Sequence, residues 1–469
     1  MKKQLVVKTL ALSFLLLGSL TGCGNKPLPP FEMPENGYDG SKVTITFYHA
    51  MGQELQGVLN NYIAKFEKEF PNIDVVEKYI GNYNAVRDQL VNEISIGEGA
   101  NVAYCYPDHI ALYNKSKRVV TLDQFINDTK TYSYTTSDGQ TKEYTFGLTQ
   151  EQKDDFIDVY LEEGRIFGDN LLYSLPFAKS TEILYYNKTF FDKHNLKVPT
   201  TWDEMWEVCA KIKEIDPKSI PLGYDSDSNF FITMCEQLGT GYTSSDSSEH
   251  FIFNNDENKK WLAELKTQYD NGYFTTKGLS GTYTSSLFTA ASNPDEVCSY
   301  MCIGSSAGAS HQSPEVDSEG KTPFDVEIAP IPQFDVENPK AVQQGPSLCI
   351  FNDKNPQEVV ASWLFVKYLE TNPYMQADMS VKNGYTPVLK SVSELDAYKQ
   401  WMEEGVYLQA KATKVCVEQV ESNFISPAFI GSSKARDEVG SALDAVLSGS
   451  KTIDKALQDA YDECAYSGS

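Results

Sequence analysis

Two short stretches set aromatic rings beside an acid or an imidazole: Tyr48-His49 and Tyr104-Cys105-Tyr106-Pro107-Asp108-His109. A ring face packs against C–H groups and a carboxylate accepts paired hydrogen bonds, so an aromatic beside an acid is able to hold a small ligand. His49, next to Met51-Gly52, reads equally as a ligand contact or as a structural loop residue. The patterns of other chemistries are missing. There is no Gly-x-Ser-x-Gly elbow, no His-Glu-x-x-His and no phosphate-binding Gly-rich loop with its Lys-Ser/Thr ending. No Cys-x2-Cys occurs and the five histidines are scattered, so neither a metal centre nor a cofactor is expected.

The elements around these stretches read as strand, helix, strand, helix, strand. Val43 to Tyr48 alternates apolar and polar residues. Leu55, Val58, Leu59, Tyr62, Ile63 and Phe66 then share one helical face. Ile73 to Ile80 is a second strand, Val86, Leu90, Val91 and Ile94 mark a second helix, and Val102 to Tyr106 is a third strand. This order implies right-handed crossovers and a parallel sheet, with ligands at the carboxyl ends of the strands. Both aromatic stretches lie at such ends. Pro221 to Asp225 reads as another strand end, which makes Asp225 a further candidate.

The chain is organised around residues 174–205. Ser174-Leu175-Pro176-Phe177 leads into the apolar run Ile183-Leu184-Tyr185-Tyr186-Asn187, and Thr201-Trp202-Asp203-Glu204 forms a capping box for the next helix. The string Pro176, Tyr185-Tyr186-Asn187-Lys188, Phe191, Pro199-Thr200-Thr201-Trp202-Asp203-Glu204 resembles the signature of extracellular solute-binding proteins of ABC importers. It is most similar to the branch that binds sugars and oligosaccharides, to which maltose-binding proteins belong.

That resemblance implies an α/β fold of the bilobed type II periplasmic-binding-protein kind: two parallel-core lobes joined by a multi-segment hinge. The expected division is 42–178 with 332–375 for the first lobe, and 179–331 with 376–469 for the second. The crossings are expected at 174–187, at Phe324 to Pro332, and at Asn383 to Val388. The implied ligand contacts are Tyr48, His49, Tyr106, Asp108, Ser180, Glu182, Asp225, Ser306, Gly345 and Tyr385. Many sugar binders carry tryptophan near the position of Ser306; its absence here removes one stacking platform. The implied function is capture of a sugar or oligosaccharide by hinge closure and delivery to an ABC permease, by a monomer with no catalytic residue.

The N-terminus reads as a targeting segment. Lys2, Lys3 and Lys8 precede an apolar run too short to span a membrane, and Leu20-Thr21-Gly22-Cys23 resembles a lipobox. Residues 1–22 are then a signal peptide, Cys23 is the lipidated residue, and 23–41, with four prolines, is a tether. The protein would sit on the extracytoplasmic face of the cell membrane, held by lipid alone. Loss of three lysines with the signal takes the formal charge from -25 to near -28, which argues against nucleic acid and anionic headgroups as partners. Of the eight remaining cysteines, Cys105 and Cys349 lie in apolar runs and read as buried thiols. Two other classes compete: the same fold holding a peptide or polyamine, and a surface glycosidase using two of the many carboxylates.

Overall fold

The computed structural model describes residues 28–136, 139–246, 248–292, 296–353 and 355–467. Cys23 and residues 1–22 therefore lie outside the described residues. Among the described residues fourteen strands follow in chain order: β1 Val43–His49, β2 Ile73–Tyr79, β3 Val102–Cys105, β4 Thr131–Thr135, β5 Thr141–Thr145, β6 Leu175–Pro176, β7 Ser180–Asn187, β8 Leu222–Tyr224, β9 Phe274–Thr276, β10 Met301–Ser305, β11 Val326–Pro330, β12 Ala341–Gln344, β13 Ser347–Ile350 and β14 Asn423–Phe424.

They build two main sheets and one hairpin. The first sheet runs β2-β1-β3-β13-β6, with β1 parallel to β2 and β3, and β13 antiparallel to β3 and β6. The second runs β14-β12-β7-β10-β8-β9, with β11 added against β7. In it β8 is parallel to β9 and β10, while β7 runs antiparallel to β10, β11 and β12. β4 and β5 pair only with each other. Each main sheet carries its own apolar core, so the molecule is bilobed, with mixed sheets that keep a parallel part. The expected capping box forms: the Glu204 amide donates to Thr201 Oγ1 at 3.2 Å, and the Thr201 amide to Glu204 Oε2 at 3.2 Å.

The first crossing lies where the signature places it, between β6 and β7. The second does not. Val326–Pro330 pairs with β7 inside the second sheet, β12 also pairs there, and Ala341 joins the second core. The chain passes to the first sheet only at Gly345-Pro346, so residues 332–344 go with the second lobe. The prolines after β11 end an outer strand rather than a crossing, in keeping with their inability to extend a ladder. The C-terminal boundary moves as well. Met375, Met379, Tyr385, Val388, Leu389, Tyr398, Trp401 and Ala410 pack in the first core, whereas Ala412, Val415 and Cys416 pack with Ile183 and Tyr185 of the second sheet. The third passage is thus made along the helix Leu408–Gln419.

The tether reading of 23–41 also needs correction. Tyr38 is fully buried against Tyr134 and Tyr144 of the hairpin. Gln357 Nε2 donates to the Gly37 carbonyl at 3.1 Å, and Asn352 Nδ2 to the Pro29 carbonyl at 2.8 Å. Residues 28–41 are a strap on the first lobe. The eight cysteines from Cys105 to Cys464 are buried free thiols, as expected for Cys105 and Cys349.

Candidate functional site

The site is built where the carboxyl end of the first sheet meets the crossings. Tyr106 follows β3 and opens the helix Pro107–Tyr113; its half-buried ring meets Tyr83 edge-on at 5.2 Å between centroids. Tyr83 begins the helix Tyr83–Ser95, just beyond β2, and lies flat on Tyr104 at 6.1 Å. The Tyr83 and Tyr385 hydroxyls are 3.0 Å apart. Burial raises the pKa of the Tyr106 hydroxyl, and the nearby Gly345 amide opposes that rise. Gly345 is required at this crossing: its φ is +92°, and a Cβ would come within 2.0 Å of the Ala178 carbonyl oxygen. Gly384 is the second such position, with φ +82° and the Ser306 carbonyl 2.6 Å from where its Cβ would stand. That contact brings Ser306 beside Tyr385. The Tyr104 hydroxyl is buried next to these rings and has no hydrogen-bond partner among the described residues.

The second lobe contributes a buried polar chain. Glu182, on β7, accepts from the Tyr224 hydroxyl at 2.6 Å and from Asn229 Nδ2 at 2.9 Å. Arg436, on the helix Ser432–Leu447, donates through Nη2 to Asn229 Oδ1. The helix that carries it packs on Pro107–Tyr113 of the first lobe and on Asp227–Leu238 of the second, so Arg436 stands between the lobes, its charge felt by Tyr106, His109 and Glu182. The chain has four arginines. Arg87 pairs with Asp88 and Asp437, Arg118 with Asp353, and Arg165 with Asp123. Among the described residues Arg436 has no carboxylate within ion-pair distance. Nearby, Arg87 Nη1 bridges the lobes to Asp437 Oδ2 at 3.0 Å.

Of the ten expected contacts, Tyr106, Gly345, Tyr385, Ser306 and Glu182 lie in or directly against this arrangement. Ser180 is near it, buried, with its hydroxyl accepting from Ser305 Oγ at 3.3 Å. Asp108 is half-buried in the first turn after Tyr106 and accepts from the His109 amide at 3.1 Å. Three have other work. Tyr48 is buried under the helix Tyr83–Ser95, its hydroxyl donating to Glu93 at 3.3 Å. His49 is fully buried, with Nε2 2.6 Å from Glu77 and Nδ1 accepting from the Met51 amide at 3.1 Å; burial lowers its pKa and Glu77 opposes that. Asp225 accepts from the Thr284 amide at 2.6 Å and hydroxyl at 2.7 Å, so it holds a loop. Tyr83, Asn229 and Arg436 were not singled out from the sequence. The strand-end rule applied to β2 would have found Tyr83, and the rarity of arginine was the available signal for Arg436.

A family model described as bacterial extracellular solute-binding protein matches residues 61–404, most of the chain. The chain belongs to the bacterial extracellular solute-binding proteins. It is similar to the sn-glycerol-3-phosphate-binding periplasmic protein UgpB of Escherichia coli O1:K1, with 24% identity over 438 residues, covering 89% of this chain and 91% of the relative. Among solved structures, UgpB from Mycobacterium tuberculosis in complex with glycerophosphocholine superposes with a TM-score of 0.71, at 15% identity, over 90% of this chain and 98% of that one. The maltose/maltodextrin-binding domain MalE from Bdellovibrio bacteriovorus, bound to maltotriose, gives 0.67 at 19% identity, over 90% and 99%. This chain is a substrate-binding protein of an ABC importer, and its family acts outside the cytoplasm. No helix of the described residues is long and apolar enough to cross a membrane.

In this solute-binding protein one buried acid titrates near neutrality. Burial pushes the Glu182 carboxyl up to about 7, only partly offset by its hydrogen bonds to Tyr224 and Asn229 and by the Arg436 charge. An unfolded glutamate titrates at about 4.3, so the folded protein binds this proton more tightly. The resulting stability is complete below pH of about 4.3 and is lost as pH rises through about 7. Glu182→Gln imitates the neutral acid and should lose this slope. Urea unfolding between pH 4.5 and 8 should show the wild type losing up to about 3 kcal/mol relative to the variant. Asp444, pushed up to about 7 chiefly by burial and then by Asp227, contributes the same sign to both proteins and cancels in that difference.

Proposed function

We propose that this protein captures a polyhydroxylated solute carrying an anionic, phosphate-like group between its lobes. The observation that carries this reading is Arg436. In a chain of formal charge -25, it is held between the lobes by a neutral amide and, among the described residues, left without a carboxylate. A guanidinium in that state offers charge-assisted, forked hydrogen bonds to phosphate oxygens. Tyr83, Tyr106 and Tyr385 supply ring faces and hydroxyls for the carbon skeleton. The relatives named for glycerol 3-phosphate and glycerophosphocholine support the class. A neutral sugar or oligosaccharide is the second reading, favoured by the cluster of three tyrosines.

A thermal-shift screen with glycerophosphocholine, sn-glycerol 3-phosphate, ribitol and maltotriose tests it. A ligand at a hundred times its dissociation constant stabilises by about 2.7 kcal/mol. A shift with a phosphate compound, recovered intact, is the expected result. A shift with neutral sugars alone returns the ligand to the sugar class, and consumption of any probe returns the protein to the enzymes.

The reading includes the anchor: Cys23 carries lipid that holds the protein, as a monomer, on the extracytoplasmic face beside its permease. A multiply acylated cysteine gives stable attachment where one chain is marginal. Cys23→Ser should move the protein from the membrane fraction to the soluble one in a fractionation assay. A variant still found with membranes would remove the lipid anchor.

A further inference from the structure

We infer that Glu182 and Asn229 are positioning residues that set how strongly Arg436 attracts an anionic ligand; this rests on the ligand class proposed above. Neither needs to touch the solute. Asn229 is buried at the start of the helix Asp227–Leu238. Its amide has one donating and one accepting end. Glu182 Oε1 takes the donating end at 2.9 Å, so the accepting end must face Arg436 Nη2. Glu182 is itself pinned by the Tyr224 hydroxyl at 2.6 Å, and its main-chain carbonyl accepts from Gln419 Nε2 at 3.3 Å. Without the carboxyl the amide could turn, and two N–H donors would then oppose the guanidinium. With it, the guanidinium is fixed and its charge is kept.

An aspartate at 229 would instead neutralise that charge in place. The three other arginines show this alternative, since each carries a carboxylate partner. The choice of a neutral amide at this one arginine, in an acidic chain, is the specificity device.

The device is also sensitive to pH. The groups facing Glu182 are Tyr224 and Asp225 from the end of β8, Asn229 from the helix Asp227–Leu238, and Arg436 from the helix Ser432–Leu447. The Asp225 carboxylate is occupied by Thr284. While Glu182 holds its proton, Oε2–H donates to the Tyr224 oxygen, Oε1 still accepts from Asn229, and Arg436 is the net charge offered to a ligand. Once Glu182 ionises, a negative charge stands one amide away from the guanidinium and competes with the anion. Affinity for an anion should therefore fall as pH rises past neutrality.

Calorimetric titration of the protein from residue 24 onward tests this, with glycerophosphocholine as the anionic-group probe and ribitol as the neutral one. The phosphodiester keeps its charge between pH 5.5 and 8.5, so any pH profile belongs to the protein. Asn229→Asp should weaken glycerophosphocholine binding at least 10-fold and leave ribitol within 3-fold. Glu182→Leu should weaken the phosphodiester about 10-fold, and Glu182→Gln should restore it. The wild-type affinity should fall several-fold from pH 5.5 to 8.5, and Glu182→Gln should flatten that profile. If Asn229→Asp fails to fold, the Glu182→Gln profile decides alone. Wild-type binding of glycerophosphocholine with an unchanged profile in Glu182→Gln would overturn the positioning role and spare the ligand class. A wild type that binds ribitol but no phosphate compound would overturn both.

Discussion

Replacing Arg436 with alanine should weaken binding of glycerophosphocholine by about 10- to 100-fold and leave ribitol within about 3-fold. A hydrogen bond to a charged group is worth about 1.5–3 kcal/mol, and each 1.4 kcal/mol is a tenfold change in affinity. The loss should fall on the charged probe because, among the described residues, the guanidinium has no carboxylate partner to release. Its described hydrogen bond is to Asn229 Oδ1, whose amide stays anchored to Glu182. Truncation thus leaves one neutral acceptor unpaired rather than a buried charge, and thermal unfolding should change little. Arg436→Lys should fall between the two, keeping charge but not the fork that meets two phosphate oxygens. Calorimetric titration with both probes measures the ratio. Equal losses for both would mean that Arg436 shapes the cleft without reading charge.

The sequence reveals local events of this fold better than distant ones. Thr201 and Glu204 stand three apart before an apolar stripe, and the box they form needs nothing from elsewhere in the chain. Asn355 and Pro356 start their helix in the same way, the Asn355 side chain accepting from the Gln357 amide at 3.1 Å. Tyr106 was legible because it ends a strand, whereas Gly345 entered only through the family resemblance, with its crossing expected elsewhere. What escaped depends on partners far along the chain. The prolines before Tyr38 suggest an extended tether, but the ring is buried by a hairpin roughly a hundred residues away. Phe324 to Pro332 has the composition of a crossing, yet whether β11 leaves the second sheet is decided by its register with β7. Arg436 precedes the stripe Val439, Leu443 and Val446, so periodicity marks only the buried face of its helix. Whether an arginine finds a carboxylate or an amide is a tertiary fact. His49 shows the opposite error. It sits at a strand end where ligands are expected, but Glu77 on the neighbouring strand takes its outer nitrogen.

The largest effect on stability should come from Lys179→Met, which is expected to cost about 3–5 kcal/mol. Lys179 is fully buried at the first crossing. It donates to Glu163 Oε2, to the Gly345 carbonyl at 3.1 Å and to Ser347 Oγ at 3.0 Å. Glu163 is also buried and accepts from Gln343 Nε2 at 2.9 Å. The Lys179 carbonyl accepts from the Thr386 amide at 2.7 Å, so three stretches of the chain meet at this residue. Methionine fills a similar volume but leaves the Glu163 carboxyl without its cation in a dry setting, with Gln343 as its remaining donor, which is the costly half of breaking a buried pair. For domains of 150–250 residues each kcal/mol moves the midpoint by about 2–4 °C, so thermal unfolding should shift down by roughly 10 °C. Adding Glu163→Leu should recover most of the loss, because a hydrophobic replacement of both partners is often neutral. A double variant no better than Lys179→Met would mean that the lysine acts through its bonds to Gly345 and Ser347 instead. Those bonds join the two crossings at Gly345, which lies beside the Tyr106 hydroxyl. The same substitution should therefore loosen the ligand's aromatic wall as well as the hinge, coupling affinity to the stability of a pair that the solute never touches.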